Sequence, residues 1–118
     1  MVTVLLIDDD PIEAKLLRAY LEARFGEDFE MTHAYGLDEA LTLLGARRFD
    51  HVLLDNRLPP FTDYRETLPR LRAGAPHAEP ILVSASPRDA WCEAPAEGAP
   101  PVIDKFALRQ HIEAGLLG

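Results

Sequence analysis

At 118 residues, with 47% hydrophobic content, ten prolines and seven glycines, the chain is the size of one globular domain, with room for a core and none for a second domain. Its formal charge of −8, from 20 acidic against 12 basic residues, opposes nucleic-acid binding, where affinity comes from Lys and Arg displacing counterions, and no direct contact is expected. The lone Cys92 excludes an internal disulfide, no apolar run nears the roughly 18 residues of a membrane span, and Met1 enters a strand with no leader pattern, so a soluble cytoplasmic protein is expected, bound to neither membrane nor nucleic acid.

Val2 to Ile7 is too short for a helix and too uniformly apolar for a half-exposed strand, so it reads as a central parallel strand covered on both faces. Asp10 then caps a helix, with Pro11 at its first position and Glu13 three residues on, as in a capping box. Its apolar face is expected along Ile12, Leu16, Ala19 and Tyr20, with Leu17 and Leu21 as a second row, to about Phe25, where Gly26 ends it. Phe29 to Tyr35 alternates in the manner of an edge strand, with Phe29, Met31, His33 and Tyr35 opposed to Glu30, Thr32 and Ala34.

Leu37, Ala40, Leu41 and Leu44 repeat at helical spacing before Gly45, and His51 to Asp55 forms a third strand, closed by Pro59 and Pro60. A helix is expected from Asp63 to about Arg72, truncated or bent by Pro69, followed by a linker from Gly74. Pro80 to Ser84 is the fourth strand, and Val102 to Lys105 the fifth. Between them, Pro95, Gly98, Pro100 and Pro101 leave at most about two turns of a short, irregular fourth helix, from Arg88 to Ala94. Leu108, Ile112 and Leu116 give the last helix its buried face. Five β-α repeats imply right-handed crossovers, a parallel sheet and helices on both of its faces.

In such a sheet every strand ends on one edge, and ligands bind in the crevice beyond. Asp8, Asp9, Asp55, Ser84 and Lys105 all follow strand ends and are expected to converge there. The four histidines (His33, His51, His77, His111) are scattered and read as surface or packing residues, and Trp91 as a ring packed over a weak helix. Carboxylates brought together would repel one another unless a hard cation sat among them, and Mg²⁺ favours a few carboxylates plus water and phosphate oxygens.

The combination of LLIDDDP at the end of the first strand, LLDNRLP at the third, VSAS at the fourth and DKF at the fifth resembles the receiver domain of two-component response regulators, over essentially the whole chain. That resemblance implies a flavodoxin-like five-stranded parallel sheet of order 2-1-3-4-5. It implies a single receiver domain over 1–118, without an output domain, in which Asp55 accepts a phosphoryl group from a histidine kinase or histidine phosphotransfer protein. Mg²⁺ would be held by Asp8, Asp9, Asp55 and the backbone carbonyl of Arg57, with Lys105 and Ser84 contacting the phosphoryl oxygens and Asp10 left to cap the helix. The output would be an unidentified downstream protein. Outside this set, Ser84 is an ordinary strand-end serine and Lys105 an ordinary solvated lysine.

Three positions depart from the family. Val102 stands where many receivers carry a switching aromatic ring, a role open to Phe106 or Trp91. Phe106 replaces the usual proline after the lysine, and a cis bond without proline costs about 3 kcal/mol, so a trans bond is expected. Thr62, Asp63 and Tyr64 replace a common glycine. The readout is therefore expected to be unusual, by ordering of the segment from Pro87 to Pro101. Two alternatives stand beside this reading: a phosphate sink without output, and a small haloacid-dehalogenase-like phosphatase with Asp8 as nucleophile and Asp10 as acid and base.

Overall fold

The computed structural model describes residues 1–85 and 101–118. Five strands, β1 (Val2–Ile7), β2 (Phe29–Ala34), β3 (His51–Asp55), β4 (Pro80–Ser84) and β5 (Val102–Asp104), form one parallel sheet of order β2-β1-β3-β4-β5, as the sequence predicts. Between them run α1 (Pro11–Phe25), α2 (Leu37–Ala46) and α3 (Tyr64–Gly74); a 3₁₀ turn at Lys105–Ala107 leads into α4 (Leu108–Glu113). The expected helix from Arg88 to Ala94, with Trp91, lies outside the described residues. No helix among the described residues is long and apolar enough to cross a membrane.

Strand alternation divides the core in two. Leu5, Ile7, Val52, Leu54 and Leu82 pack against α2 and α3 on one face, while Val4, Leu6, Leu53, Val83 and Ile103 pack against α1 and α4 on the other. Leu5, Leu53, Leu54 and Leu82 are wholly buried, each favourable by about 1.5–3 kcal/mol relative to exposure. That double cover is why the central strands are apolar on both faces.

Several local expectations are corrected. The buried row of α1 is Ala14, Leu17 and Leu21, whereas Ile12, Leu16 and Ala19 face outward, with Ile12 62% and Leu16 41% exposed. The two rows are almost equally apolar, and only one stripe of the helix can meet the sheet. In β2 it is Ala34, assigned to the exposed side, that is fully buried, while Phe29 and Met31 pack partly against the α1 face. Tyr35 lies past the strand and is exposed. Helix α2 runs through Gly45 to Ala46, and α3 through Pro69, whose ring sits on an exposed position and costs only one backbone bond. Asp63 caps α3 instead of opening it, accepting from Arg65 N–H at 2.9 Å. Leu117 replaces Leu116 as the fully buried residue past α4, because Gly115 turns the chain at φ +100, a conformation that favours glycine.

Candidate functional site

Sheet order places the site. The chain passes from β1 to β2 on one side and then crosses to β3 on the other, so the C-terminal ends of β1 and β3 flank the point where the direction of winding reverses. Asp8 directly follows β1 and is held by one more ladder bond, its N–H donating to the Ala34 carbonyl at 3.0 Å. Asp55 ends β3, and the Asn56 N–H extends the pairing to the Val83 carbonyl at 3.0 Å. Ser84 ends β4, and Lys105 opens the 3₁₀ turn after β5. The carboxylates of Asp8 and Asp55 are buried at 2% and 7% exposure, while Asp9 is exposed.

All the residues expected at the strand ends are brought together. Asp8, Asp9 and Asp55 each offer a carboxylate oxygen within 4.8 Å of the others, a cluster of hard oxygen donors that fits a small divalent cation such as Mg²⁺. Asp10 takes no part in it: its Oδ1 accepts from Ile12 N–H at 2.9 Å and caps α1, while its own N–H donates to Asp8 Oδ1. Beside the carboxylates lies a cavity of about 120 Å³ lined by Asp55, Asn56, Arg57, Ser84, Ala85 and Lys105. The Arg57 N–H donates to Asp55 Oδ1 at 3.4 Å.

Electrostatics follow from burial. Desolvation, reinforced by the charge of Asp8 and only partly offset by Lys105, pushes the Asp55 carboxyl up to about 6. Burial likewise raises Asp8. Lys105 Nζ sits 3.7 Å from Asp8 Oδ2, 3.7 Å from Asp55 Oδ1 and 3.9 Å from Glu13 Oε1. Burial pulls its pKa down, but the fields of Asp55, Asp8 and Glu13 outweigh this and raise it, so the ammonium stays charged.

Three contributors escape sequence reasoning. Glu13, assigned to a capping box, instead reaches Lys105, because Asp8 has already taken the Asp10 N–H. His33 Nε2–H donates to the Asp8 carbonyl at 2.7 Å and its ring lies 4.1 Å from that of Tyr35, a contact that only the β1–β2 register creates. Asn56, 2% exposed, accepts from Tyr64 N–H at 3.1 Å and ties the loop after β3 to the start of α3. Tyr64 and its neighbours Thr62 and Asp63, which stand where the glycine was expected, thus close that loop, with Thr62 N–H donating to Glu66 Oε1.

The response regulator receiver domain family matches residues 4–115. This chain belongs to that family. Receiver domains are signalling modules that accept phosphate on an aspartate with Mg²⁺, and the membership removes the grounds for a haloacid-dehalogenase-like phosphatase. Among curated proteins there is no match. Solved structures share the fold. A receiver domain of a sensor histidine kinase from Pseudomonas aeruginosa, with magnesium in its active-site cleft, is 20% identical, with TM-score 0.75, over 96% of this chain and 92% of that one. A Thermotoga maritima response regulator in complex with Mg²⁺ and BeF is 24% identical, with TM-score 0.70, over 97% and 98%. A Burkholderia pseudomallei response regulator with a phosphorylated aspartic acid is 25% identical, with TM-score 0.70, over 98% of this chain and 66% of that one. In this receiver the acidic cluster and the lysine lie together, and Val102 and Phe106 are the positions beside the lysine that depart from the expected pattern. Val102 is half-buried against the α2–α3 core, and Phe106 is 82% exposed, so its ring does not occupy the inward position. Pro59–Pro60 is the cis bond among the described residues, and Lys105–Phe106 is trans, as expected.

Proposed function

We propose that this receiver is a phosphoacceptor switch in which Asp55 takes a phosphoryl group from a phosphohistidine of a kinase or phosphotransfer protein and the modified chain changes its affinity for a downstream protein. The observation that carries this is Asp55 itself, a carboxylate 7% exposed, facing a 120 Å³ cavity, with an ammonium 3.7 Å away. Burial leaves it poorly solvated and raises its pKa to about 6, so it is still ionised at neutral pH, which suits a nucleophile.

In the transfer an Asp55 oxygen attacks phosphorus. The O–P bond forms, the P–N bond to the donor imidazole breaks, and its electron pair returns to the ring nitrogen, which takes a proton. Lys105 Nζ would pair with a phosphoryl oxygen as a point charge, and the Ser84 hydroxyl would donate to another. Asp8, Asp9, Asp55 and the Arg57 carbonyl would hold Mg²⁺, which when bound offsets the charge gathered on the phosphoryl oxygens. The named Thermotoga and Burkholderia proteins, one bound to Mg²⁺ and BeF and the other phosphorylated on aspartate, support this reading.

Incubation with acetyl phosphate and Mg²⁺ tests it by intact mass. One phosphoryl group is expected on the wild type and none after chelation of the metal; an adduct that maps to Asp8 would sink the reading.

The donor protein has a natural landing place. Ile12 and Leu16 on α1 and Phe106 after β5 are exposed apolar residues, and Glu13, next to Ile12, pairs with Lys105, next to Phe106, at 3.9 Å. An apolar stripe of a histidine-bearing helix would cover them and bring its phosphohistidine to Asp55. Ile12→Asp with Phe106→Ala is expected to slow transfer from a phosphohistidine protein at least tenfold while acetyl phosphate reacts as before. Equal slowing with both donors would remove the idea.

A further inference from the structure

The carboxylate of Glu13 has no part in the acidic cluster or the cavity lining, yet it lies 3.9 Å from Lys105 Nζ with only 22% of its side chain exposed. It extends from the first turn of α1, and Lys105 follows β5, so this pair joins two elements that α1's own cap does not link. Three carboxylates share one ammonium at 3.7–3.9 Å, all longer than the roughly 2.7–2.9 Å of a committed charge-assisted hydrogen bond. Lys105 is therefore divided among its partners, and a change of charge at any one of them redistributes it.

The charges decide how. A divalent cation on Asp8, Asp9 and Asp55 would neutralise two of the three partners of Lys105 and leave Glu13 as the full negative charge beside it. A phosphoryl group on Asp55 would then bring close to two negative charges within reach of the same ammonium and outcompete a single carboxylate.

We propose that Glu13 is a positioning residue, the partner of Lys105 before phosphorylation, which ties α1 to the end of β5 and loses the lysine when Asp55 is modified. This rests on Asp55 being the phosphoryl acceptor. It supplies a local consequence of phosphorylation in a receiver whose Val102 cannot act as a ring switch, and places that consequence at the first turn of α1, beside the exposed Ile12 and Leu16.

The test uses the whole chain as wild type, Glu13→Gln, Glu13→Asp and, as a control for net charge, Glu22→Gln on the exposed side of α1. Two quantities are read: the acetyl phosphate concentration giving half-maximal phosphorylation at saturating Mg²⁺, and amide hydrogen exchange in the first two turns of α1 with and without phosphorylation. Glu13→Gln removes a competitor for Lys105 and is expected to lower the half-maximal concentration about threefold, the size of a partly exposed ion pair. It should also raise α1 exchange in the unmodified protein to the level that the wild type reaches only when phosphorylated. Glu13→Asp, which keeps the charge, should restore most of both, and Glu22→Gln should change neither. If the wild type takes a phosphoryl group but Glu13→Gln matches it in both quantities, or Glu22→Gln matches Glu13→Gln, the proposal is overturned while the acceptor role of Asp55 stands. A wild type that takes none overturns both.

Discussion

Asp55→Asn is expected to abolish the phosphoryl adduct outright and, at the same time, to make the metal-free protein more stable. The amide is nearly isosteric and can still accept from the Arg57 N–H, so packing is retained while a buried charge is removed. The carboxyl is raised from 3.8 to about 6 in the folded chain. A raised carboxylate contributes stability that is complete below the unfolded value and lost as pH rises through the folded one, so the ionised group is a burden above about pH 6. Discounted for residual solvent screening, the relief at pH 7.5 is about 1–2 kcal/mol, or roughly 5 °C in Tm. The difference should shrink to nothing near pH 4, where the wild-type residue is itself protonated. Saturating Mg²⁺ should raise the Tm of the wild type and have little effect on the variant, since a ligand stabilises only the state that binds it. Thermal melts at pH 4, 6 and 7.5, with and without Mg²⁺, check every part of this. A variant less stable than wild type at pH 7.5 would show that Asp55 is held by stronger compensation than Lys105 and the Arg57 N–H provide.

Lys105→Met should cost stability as well as phosphorylation. It keeps an apolar stem of similar length but removes the only cation within 4 Å of the Asp8 and Asp55 carboxylates among the described residues. Losing one partner of a part-buried pair leaves uncompensated charge, and about 2 kcal/mol of stability is expected to go at pH 7.5. Without the ammonium the carboxyls of Asp8 and Asp55 rise further above their unfolded values. The penalty is therefore present above their folded pKa values and fades as pH falls through them, so the variant should approach wild-type stability near pH 4–5. Phosphorylation by acetyl phosphate should fall by at least a hundredfold, because one charge-assisted contact to the phosphoryl oxygens is worth about 3 kcal/mol in a partly desolvated site. A loss in stability that does not depend on pH would mean that Lys105 acts through packing, and full phosphorylation of the variant would remove it from the proposed chemistry.

Both predictions concern residues visible from the sequence, because each follows an apolar strand and strand ends meet at one edge of a parallel sheet. Residue types and local order carried that information: the largely apolar β1, the apolar centre of β3 from Val52 to Leu54, the proline pair after β3, the Asp10–Pro11 helix start. They sufficed for a parallel sheet and for the convergence of Asp8, Asp9, Asp55, Ser84 and Lys105, while the strand order came from the resemblance to receivers. They did not suffice for the orientation of α1. Ile12, Leu16 and Ala19 on one side and Ala14, Leu17 and Leu21 on the other are both helical rows, and periodicity alone cannot rank them.

What the sequence determined by itself is therefore what depends on short-range pattern: the elements, the sheet they build and the residues at its edge. The tertiary structure decided what depends on which surfaces meet. The β1–β2 register put His33 on the Asp8 carbonyl, the closure of the loop after β3 gave Asn56 to Tyr64, and the seating of α1 on the sheet turned Glu13 from its cap toward Lys105. Each of these is a contact between segments whose spacing along the chain carries no period, and a polar side chain in such a place is assigned by whichever donor or charge the packing leaves within its reach.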